Sequence, residues 1–250
     1  MRYTVLTLFP EICDAYFANS IMAKAIKAGF VQYNAINIRD YAFDKHRTCD
    51  DAPYGGGAGM LMLAEPLGRA LESAGARESH TVYLSPSGRP FNQSAAKKLA
   101  AKEEIILICG RYEGIDQRII DTYVDEEISV GDYVLSSGEV AALVIIDATY
   151  RLLESVITPA SLEEESFSGG LLEYPQYTRP EIYDTVKVPE VLLSGHHENI
   201  RRWRLEKRVE KTFAVRPDMI RAGEERNLFD EETRKIIERK RRETDGEGEG

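Results

Sequence analysis

The chain lacks most of the features that mark secreted, disulfide-bonded or membrane-embedded proteins. Its 250 residues include only three cysteines, Cys13, Cys49 and Cys109, whose spacing matches neither a zinc motif nor a disulfide framework. The sequence has no apolar run near the ~18 residues that cross a bilayer. It begins on an apolar run without a basic leader or a cleavage site. We therefore expect a cytoplasmic protein with reduced thiols and no membrane partner.

Several common cofactor and metal motifs are also missing. No glycine cluster has the G-x-G-x-x-G pattern of dinucleotide sites or the G-x-x-x-x-G-K-[ST] pattern of P-loops. His196 and His197 are adjacent, so their side chains do not point at one ion, and no third ligand has suitable spacing. Cys109 closes the apolar run 105–108, which favours a small buried side chain over the alternative of a catalytic thiol. The sequence predicts no protein-built metal site.

Acidic residues outnumber basic ones, and the formal net charge of -10 argues weakly against a nucleic-acid partner. The average hides two basic stretches, residues 201–216 and 234–242. Such asymmetry indicates an anionic partner for the C-terminal part of the chain. Within the first stretch, arginines could contact phosphates and a tryptophan could stack on a base; the residues are Arg201, Arg202, Trp203 and Arg204. A solvated helix with Trp203 in a core contact is the alternative.

Strand and helix patterns alternate through residue 157, which predicts the α/β class with a mostly parallel sheet. The predicted strands cover residues 3–8, 31–38, 81–84, 105–109 and 128–135, the last including a turn. The predicted helices cover residues 10–27, 65–74, 93–101, 113–123 and 140–153.

The pattern changes after residue 157. Residues 158–180 are rich in proline and glycine and show little periodicity, as in a functional or mobile loop. We predict an α/β domain over 1–157, an interdomain loop over 158–175, a basic helical domain over 176–242 and a disordered tail over 243–250.

Three glycine-punctuated turns, each after an apolar run, are the most informative local feature. They are Tyr83-Leu-Ser-Pro-Ser-Gly88, Cys109-Gly-Arg-Tyr-Glu-Gly-Ile-Asp116 and Ser129-Val-Gly-Asp-Tyr-Val-Leu-Ser-Ser-Gly-Glu139. Any one of them fits an ordinary connecting loop. Together they predict strand ends that face one ligand crevice, where glycine lets the backbone approach a ligand closely. A fourth cluster over residues 51–60 is either a flexible loop or a lip that closes over a substrate or shapes a subunit contact.

Four charged side chains are candidates for acid–base or electrostatic roles. Glu113, Asp116 and Glu165 could act as general bases, although an exposed acid is more often a solvated surface group. Arg151 follows an apolar helical stretch, so it either reaches for solvent or anchors a polarised group.

These segments together resemble the bacterial tRNA (guanine-37-N1)-methyltransferases, a family of the SPOUT class. The resemblance covers residues 1–220 and includes Pro53-Tyr-Gly-Gly-Gly57, Val130-Gly-Asp-Tyr-Val-Leu-Ser136, Tyr177-Thr-Arg-Pro180 and Arg202-Trp-Arg204. It implies a SPOUT-type sheet whose C-terminal part forms a trefoil knot, a homodimer with shared active sites, and a helical domain that holds the tRNA anticodon stem-loop. It also implies S-adenosylmethionine as methyl donor and a dependence on magnesium.

The resemblance assigns functional roles to particular residues of this chain. It assigns S-adenosylmethionine binding to Tyr83, Leu84, Ser85, Pro86, Gly88, Gly110, Glu113, Val130, Gly131, Tyr133, Val134, Leu135 and Gly138. Glu165 takes the position of the family's catalytic aspartate and is one methylene longer, and Arg151 takes the position of its catalytic arginine. Ser137 and Ala141 replace a glycine and a proline of the family's pattern.

The resemblance predicts transfer of a methyl group to N1 of guanine 37 in tRNA. Two alternatives stay open. The changed cavity rim at Ser137 and Ala141 is compatible with a SPOUT enzyme that methylates another RNA site. The glutamate at position 165 is compatible with a tRNA-binding protein whose catalysis is impaired.

Overall fold

A computed structural model describes residues 1–154, 156–157 and 165–247 of the chain. The chain forms two compact units, Met1–Ile157 and Thr158–Gly250. The predicted interdomain loop over 158–175 therefore belongs to the second unit, and its first seven residues lie outside the described ones. Within the described ranges, no helix is both long and apolar enough to cross a bilayer.

The first unit is built on a parallel sheet of five strands in the order β2-β1-β6-β5-β7. An antiparallel pair, β3 and β4, lies outside this sheet. The strands are β1 (Arg2–Thr7), β2 (Gln32–Asn37), β3 (Asp50–Asp51), β4 (Leu61–Met62), β5 (His80–Pro90), β6 (Glu104–Cys109) and β7 (Glu126–Ser129).

Helices cover both faces of the sheet, as the predicted α/β class requires. They are α1 (Pro10–Phe17), α2 (Ser20–Lys27), α3 (Ala64–Ser73), α4 (Gln93–Ala100), α5 (Gln117–Tyr123) and α6 (Gly138–Tyr150), with a 3-10 helix at Ile38–Tyr41. Alternate residues of β6 enter two separate cores: Ile105 and Leu107 pack with α1, α2, α4 and α6, whereas Ile106 and Ile108 pack with α3 and α5. This alternation follows from the two-residue period of a strand.

Three predicted elements differ most from the observed ones. The helix predicted over 10–27 is broken, because Asn19 is extended (φ -126°, ψ 163°) and its side-chain amide donates to the Ala15 carbonyl at 2.7 Å. The helix predicted from residue 113 begins at Gln117, since the Asp116 carboxylate caps it. The strand predicted to end at residue 84 continues as β5 to Pro90 after a bulge.

The second unit is mostly helical, with α7 (Glu190–Leu193), α8 (His197–Val215), α9 (Pro217–Glu225) and α10 (Glu231–Glu247). A short hairpin precedes them, formed by β8 (Ile182–Tyr183) and β9 (Val186–Lys187). The unit has its own apolar core, made of Leu171, Val209, Ile220, Phe229, Ile236 and Ile237.

Two features of this unit differ from the sequence-based expectation. The hairpin was not predicted, because two-residue strands are too short to show alternation; its turn residues Asp184 and Thr185 have the positive φ values (45° and 68°) of a type I′ turn. The helix α10 extends through Glu247, past the predicted end of the helical domain at residue 242, and the disorder predicted from residue 243 stays a prediction. Residues 248–250 lie outside the described residues.

Candidate functional site

The carboxyl ends of β5, β6 and β7 open into a cavity of about 340 Å³ in the first unit. Its wall comes from the three glycine-punctuated turns, over residues 83–87, 110–114, 128–130 and 133–138, together with the first turn of α6. Parallel strands end at one edge of a sheet, so the turns that follow them lie close together. The volume lies in the range of pockets that enclose a small molecule.

The first turn is a bulge in β5. Leu84 and Arg89 both pair with Ile128 of β7, so residues 85–88 leave the sheet between them. A side chain at Gly88 could not be accommodated, because its Cβ would lie 2.5 Å from the carbonyl carbon of Glu127 and from the amide nitrogen of Ile128. Gly88 thus permits the strand to return to β7 after Ser85 and Pro86 have been displaced into the cavity wall.

The third turn brings α6 against the end of β6. The Gly138 amide donates to the Gly110 carbonyl at 3.0 Å. A Cβ on Gly138 would lie 2.6 Å from the Gly110 nitrogen and 2.7 Å from the Cys109 Cα. Only glycine allows this backbone-to-backbone approach, which fixes one wall of the cavity.

An ion pair between a buried carboxylate and a partly buried guanidinium stabilises the second turn. Glu139, in the first turn of α6, is fully buried, and its Oε2 lies 3.4 Å from Nε of Arg111. Its Oε1 accepts a hydrogen bond from the Thr7 hydroxyl. The Arg111 guanidinium lies 4.4 Å from the centroid of the Phe9 ring, in cation–π geometry. These contacts join the cavity wall to β1 and α6.

Two other groups at the strand ends are held neutral by burial. Burial raises the pKa of the Tyr83 phenol, with a further contribution from Glu127. Burial also raises the pKa of the Cys109 thiol well above its ordinary value, and the Glu139 carboxylate adds to this. A nucleophilic thiol requires the opposite shift. The geometry therefore favours the small buried side chain at Cys109 over the catalytic alternative.

The cavity wall contains every predicted cofactor-binding residue except Gly88 and Gly131. Their roles remain predictions. Other wall residues were not singled out from the sequence, although they belong to the same three turns; they include Ser87, Arg111, Tyr112, Gly114 and Ser136. Arg111 could have been suspected as the lone cation in a turn otherwise made of small residues, but its carboxylate partner was not apparent.

The fourth glycine cluster lies against the second turn. The Glu113 amide donates to the Met60 carbonyl at 3.0 Å, and the Met62 amide donates to the Gly114 carbonyl at 3.0 Å. Residues 51–60 are therefore attached to the loop that carries Glu113, a wall residue. This contact favours the lip over the unattached flexible loop.

The three candidate bases have different surroundings. Glu113 lines the cavity. The Asp116 carboxylate accepts from the Arg118 amide at 2.9 Å and pairs with the Arg118 guanidinium, which lowers its pKa. A carboxylate so engaged is a poor proton acceptor, so Asp116 serves as the N-cap of α5.

The proposed catalytic pair is divided between the two units. Arg151 is the half-buried residue at the C-terminus of α6, in the first unit. Glu165 is half-buried in the second unit and starts a tight turn in which the Ser168 amide donates to the Glu165 carbonyl at 3.1 Å. Each residue is placed within its own unit.

The predicted RNA-binding side chains lie on α8, and several already have partners. Arg201 pairs with Glu198 at 2.7 Å and with Glu232 of α10 at 2.8 Å. Arg202 lies 3.7 Å from Glu206. Glu232 is 31 residues from Arg201, so only the fold shows that Arg201 has this second carboxylate partner.

Aromatic side chains accompany this basic surface. Trp203 is half-buried and its ring centroid lies 6.3 Å from that of Tyr177. The Arg204 guanidinium lies 4.8 Å from the centroid of the Tyr174 ring. Trp203 therefore has an aromatic contact within the protein, which fits the core-contact alternative while leaving part of the ring accessible.

Among the residues with described positions, no group of three or more histidine, cysteine, aspartate or glutamate side chains could hold a metal ion. His196 and His197 flank the start of α8. The three cysteines are buried and unpaired with one another.

Comparisons with known proteins agree with one another. A family model described as tRNA (Guanine-1)-methyltransferase TrmD matches residues 1–222. A tRNA (guanine-N(1)-)-methyltransferase of Treponema denticola is 62% identical over 237 residues, covering 95% of this chain and 98% of that protein. Proteins of the same name from Treponema pallidum and Borreliella burgdorferi are 55% and 60% identical over 95% and 88% of this chain, and the matches cover 95% and 92% of those proteins. The chain therefore belongs to the tRNA (Guanine-1)-methyltransferase TrmD family.

Proposed function

We propose that the protein transfers a methyl group from S-adenosylmethionine to N1 of guanine 37 in tRNA, next to the anticodon. The observation that carries the proposal is the cavity at the ends of β5, β6 and β7, whose wall consists of the turns that match this family. A role in the cytoplasm follows from the tRNA substrate.

The residues present fit S-adenosylmethionine as donor. The cavity volume of about 340 Å³ suits a ligand of that size. Glycine at 88, 110 and 138 brings backbone to its wall, while Leu84 and Leu135 supply apolar surface. When bound, S-adenosylmethionine supplies a methyl group activated by its sulfonium charge. The chain then has to hold the guanine and remove a proton from it.

Guanine N1 carries a proton and becomes nucleophilic as that proton leaves. We assign the proton to the Glu165 carboxylate, which accepts it from N1 as the new N–C bond forms. The Arg151 guanidinium stabilises the negative charge that develops on guanine O6. The base must leave its stack to reach the catalytic groups. Both assignments rest on the family resemblance at these two positions.

A trefoil knot is part of the proposal. Two features support it: residues 85–88 leave β5 as a loop, and α6 starts in backbone contact with the end of β6. A chain that passes back through its own loops would need both of these close approaches.

A homodimer is also part of the proposal. Apolar side chains lie exposed around the cavity mouth and on α6 of the first unit. Val134 is 83% exposed and Tyr133 57%, and Val140 and Val144 are nearly half exposed one helical turn apart. An apolar patch of this kind is typical of an interface between copies of a chain.

We assign tRNA binding to the second unit, through Arg201, Arg202, Trp203 and Arg204. Phosphate contacts would have to compete with the carboxylates that now face Arg201 and Arg202. Magnesium has no clustered carboxylate site among the described residues, so we derive no step through it.

A second candidate is methylation of a different RNA site. It is favoured by Ser137 and Ala141, which depart from the family's pattern and line the cavity. Their effect would be on the shape of the wall rather than on the proton transfer.

The test is incubation of purified protein with labelled S-adenosylmethionine, magnesium and unmodified tRNA that carries guanosine at positions 36 and 37. The expected product is 1-methylguanosine, and a matched tRNA with adenosine at position 37 should give none. Label in the control tRNA or in another nucleoside would favour the second candidate. Absence of label with both tRNAs would overturn methyl transfer.

A further inference from the structure

The segment that carries Glu165 is a closed turn. The Ser168 amide donates to the Glu165 carbonyl at 3.1 Å, and the Phe167 amide donates to the Leu171 carbonyl at 2.9 Å. Phe167 has a φ of 73°, a left-handed conformation that bulky residues rarely adopt. Such a backbone persists only where its surroundings over-determine it.

Arg208 of α8 donates hydrogen bonds to two backbone carbonyl groups of this segment. Its Nη2 donates to the Ser168 carbonyl at 2.8 Å, and its Nε donates to the Leu172 carbonyl at 3.3 Å. Hydrogen bonds from a charged guanidinium are stronger than those between neutral groups. Because the guanidinium is planar and rigid, its two hydrogen bonds also fix the positions of the two carbonyl groups relative to each other.

Thr212, one helical turn further along α8, binds the other backbone group of Leu172, its amide. Its hydroxyl oxygen accepts from the Leu172 amide at 2.9 Å while the hydroxyl donates to the Arg208 carbonyl at 2.6 Å. Thr212 is fully buried, so removing the acceptor would leave the Leu172 amide unsatisfied.

Apolar packing completes the attachment. Leu171 is 3% exposed and belongs to the core of the second unit with Val209 and Phe229. The chain thus leaves Glu165, makes a strained turn and enters the helical core within six residues. Glu165 therefore begins a short segment that hydrogen bonds and apolar packing attach to the helices of the second unit.

We propose that Arg208 and Thr212 are positioning residues that set the location of the Glu165 carboxylate. The inference rests on the proposed function, which makes Glu165 the proton acceptor. Arg208 lies within the basic stretch 201–216, yet two of its nitrogens donate to backbone carbonyls of the turn. Arg208 thus affects the reaction by positioning Glu165, whereas its neighbours on α8 are proposed to bind RNA.

The first experiment compares Arg208→Met, Arg208→Lys, Thr212→Val and the exposed control Arg221→Met with the unaltered protein. The readouts are the single-turnover rate constant at saturating tRNA and S-adenosylmethionine, the Kd of each ligand and the Tm. We expect Arg208→Met and Thr212→Val to lower the rate constant about 10- to 100-fold, because a displacement of about 1 Å can cost that much. Arg208→Lys should recover part of the loss, and the Kd of S-adenosylmethionine should change less than twofold.

The second experiment is a double-mutant cycle with Glu165→Gln. If Arg208 acts through Glu165, Arg208→Met should add little to the loss caused by Glu165→Gln. Multiplicative losses, a rate constant unchanged in Arg208→Met, or a loss confined to the Kd of tRNA would overturn the inference. These outcomes require an active unaltered protein; an inactive one contradicts the proposed function instead.

Discussion

The Glu139 carboxylate contacts two other parts of the chain and so stabilises the cavity wall. It is fully buried, and its cation is Arg111 at 3.4 Å, on a different loop. Burying the Glu139 carboxylate is costly, and its attraction to the partly buried Arg111 guanidinium offsets that cost only while the two remain together. The sequence shows Arg111 in a suggestive turn, but nothing local reveals that a residue 28 positions later neutralises it.

Replacement of Arg111 by methionine should therefore lower the free energy of unfolding by about 3 kcal/mol, because it leaves the Glu139 carboxylate buried without a cation. Urea denaturation followed by circular dichroism measures the change. The matched control is Arg118→Met, which removes an exposed partner of Asp116 and should cost less than about 1 kcal/mol. Equal losses in the two variants would contradict the account of the Glu139 and Arg111 pair.

The buried thiols give a residue-scale pH dependence. Burial raises the pKa of Cys13 to about 12, and that of Cys109 well above 9.0. Both thiols stay protonated in the folded chain while they ionise in the unfolded chain above about pH 8.5. Their contribution to stability is thus complete below pH 8.5 and is lost as the pH rises toward 12.

Between pH 8 and 9.5, the free energy of unfolding should fall by about 2 to 3 kcal/mol more in the unaltered protein than in a Cys13→Ala, Cys109→Ala double variant. Urea titrations at the two pH values measure it. Parallel pH dependences in the two proteins would show that these thiols ionise equally well in the folded chain.

At the scale of elements, local patterns predicted most strands and helices because each has a clear period or cap. Asn92 caps α4 as expected, with its side chain accepting from the Ala95 amide at 3.0 Å. The β5 bulge was missed because Arg89 and Pro90 rejoin β7 through register, which depends on the partner strand. The α1–α2 break was missed because Asn19 lies between two good helical segments.

The contact between α6 and β6 depends on Gly138. A methyl group at this position would lie 2.6 Å from the Gly110 nitrogen, so backbone must move to accommodate it. We expect Gly138→Ala to lower the free energy of unfolding by about 1 to 3 kcal/mol and to weaken S-adenosylmethionine binding at least about tenfold. Denaturant titration and calorimetry measure the two effects.

The control for this element is Gly68→Ala in α3. A methyl group there would lie 3.4 Å from the flexible end of Ile119, and alanine favours the helix. Its stability should be unchanged or slightly higher. A Gly138→Ala variant that behaves like Gly68→Ala would show that the close approach does not shape the cavity.

At the scale of the whole molecule, the chain divides into an α/β unit with a cavity and a helical unit with a basic surface. The cavity was predictable because its three turns are consecutive strand ends with family motifs. The ion pair between Arg201 and Glu232 on the basic surface was not predictable, since the two residues meet only when α8 and α10 pack together. Residues 158–164 of the predicted interdomain loop lie outside the described residues, so the loop stays a prediction.

If the second unit binds tRNA, Arg202→Ala should weaken the affinity and reduce the slope of log affinity against log salt by about 1, because one phosphate contact no longer releases a counterion. Filter binding from low to moderate salt measures both. The exposed Arg221→Ala variant serves as control. An unchanged slope in Arg202→Ala would place the RNA contact elsewhere.

The central claim is that the turns at the ends of β5, β6 and β7 bind the methyl donor. Hydrogen exchange of the backbone amides with and without S-adenosylmethionine tests it most directly. We predict slower exchange over residues 84–88, 110–114 and 130–138, and little change in α8 to α10. Unchanged exchange in all three turns at saturating donor, or protection confined to the helical unit, would contradict the account.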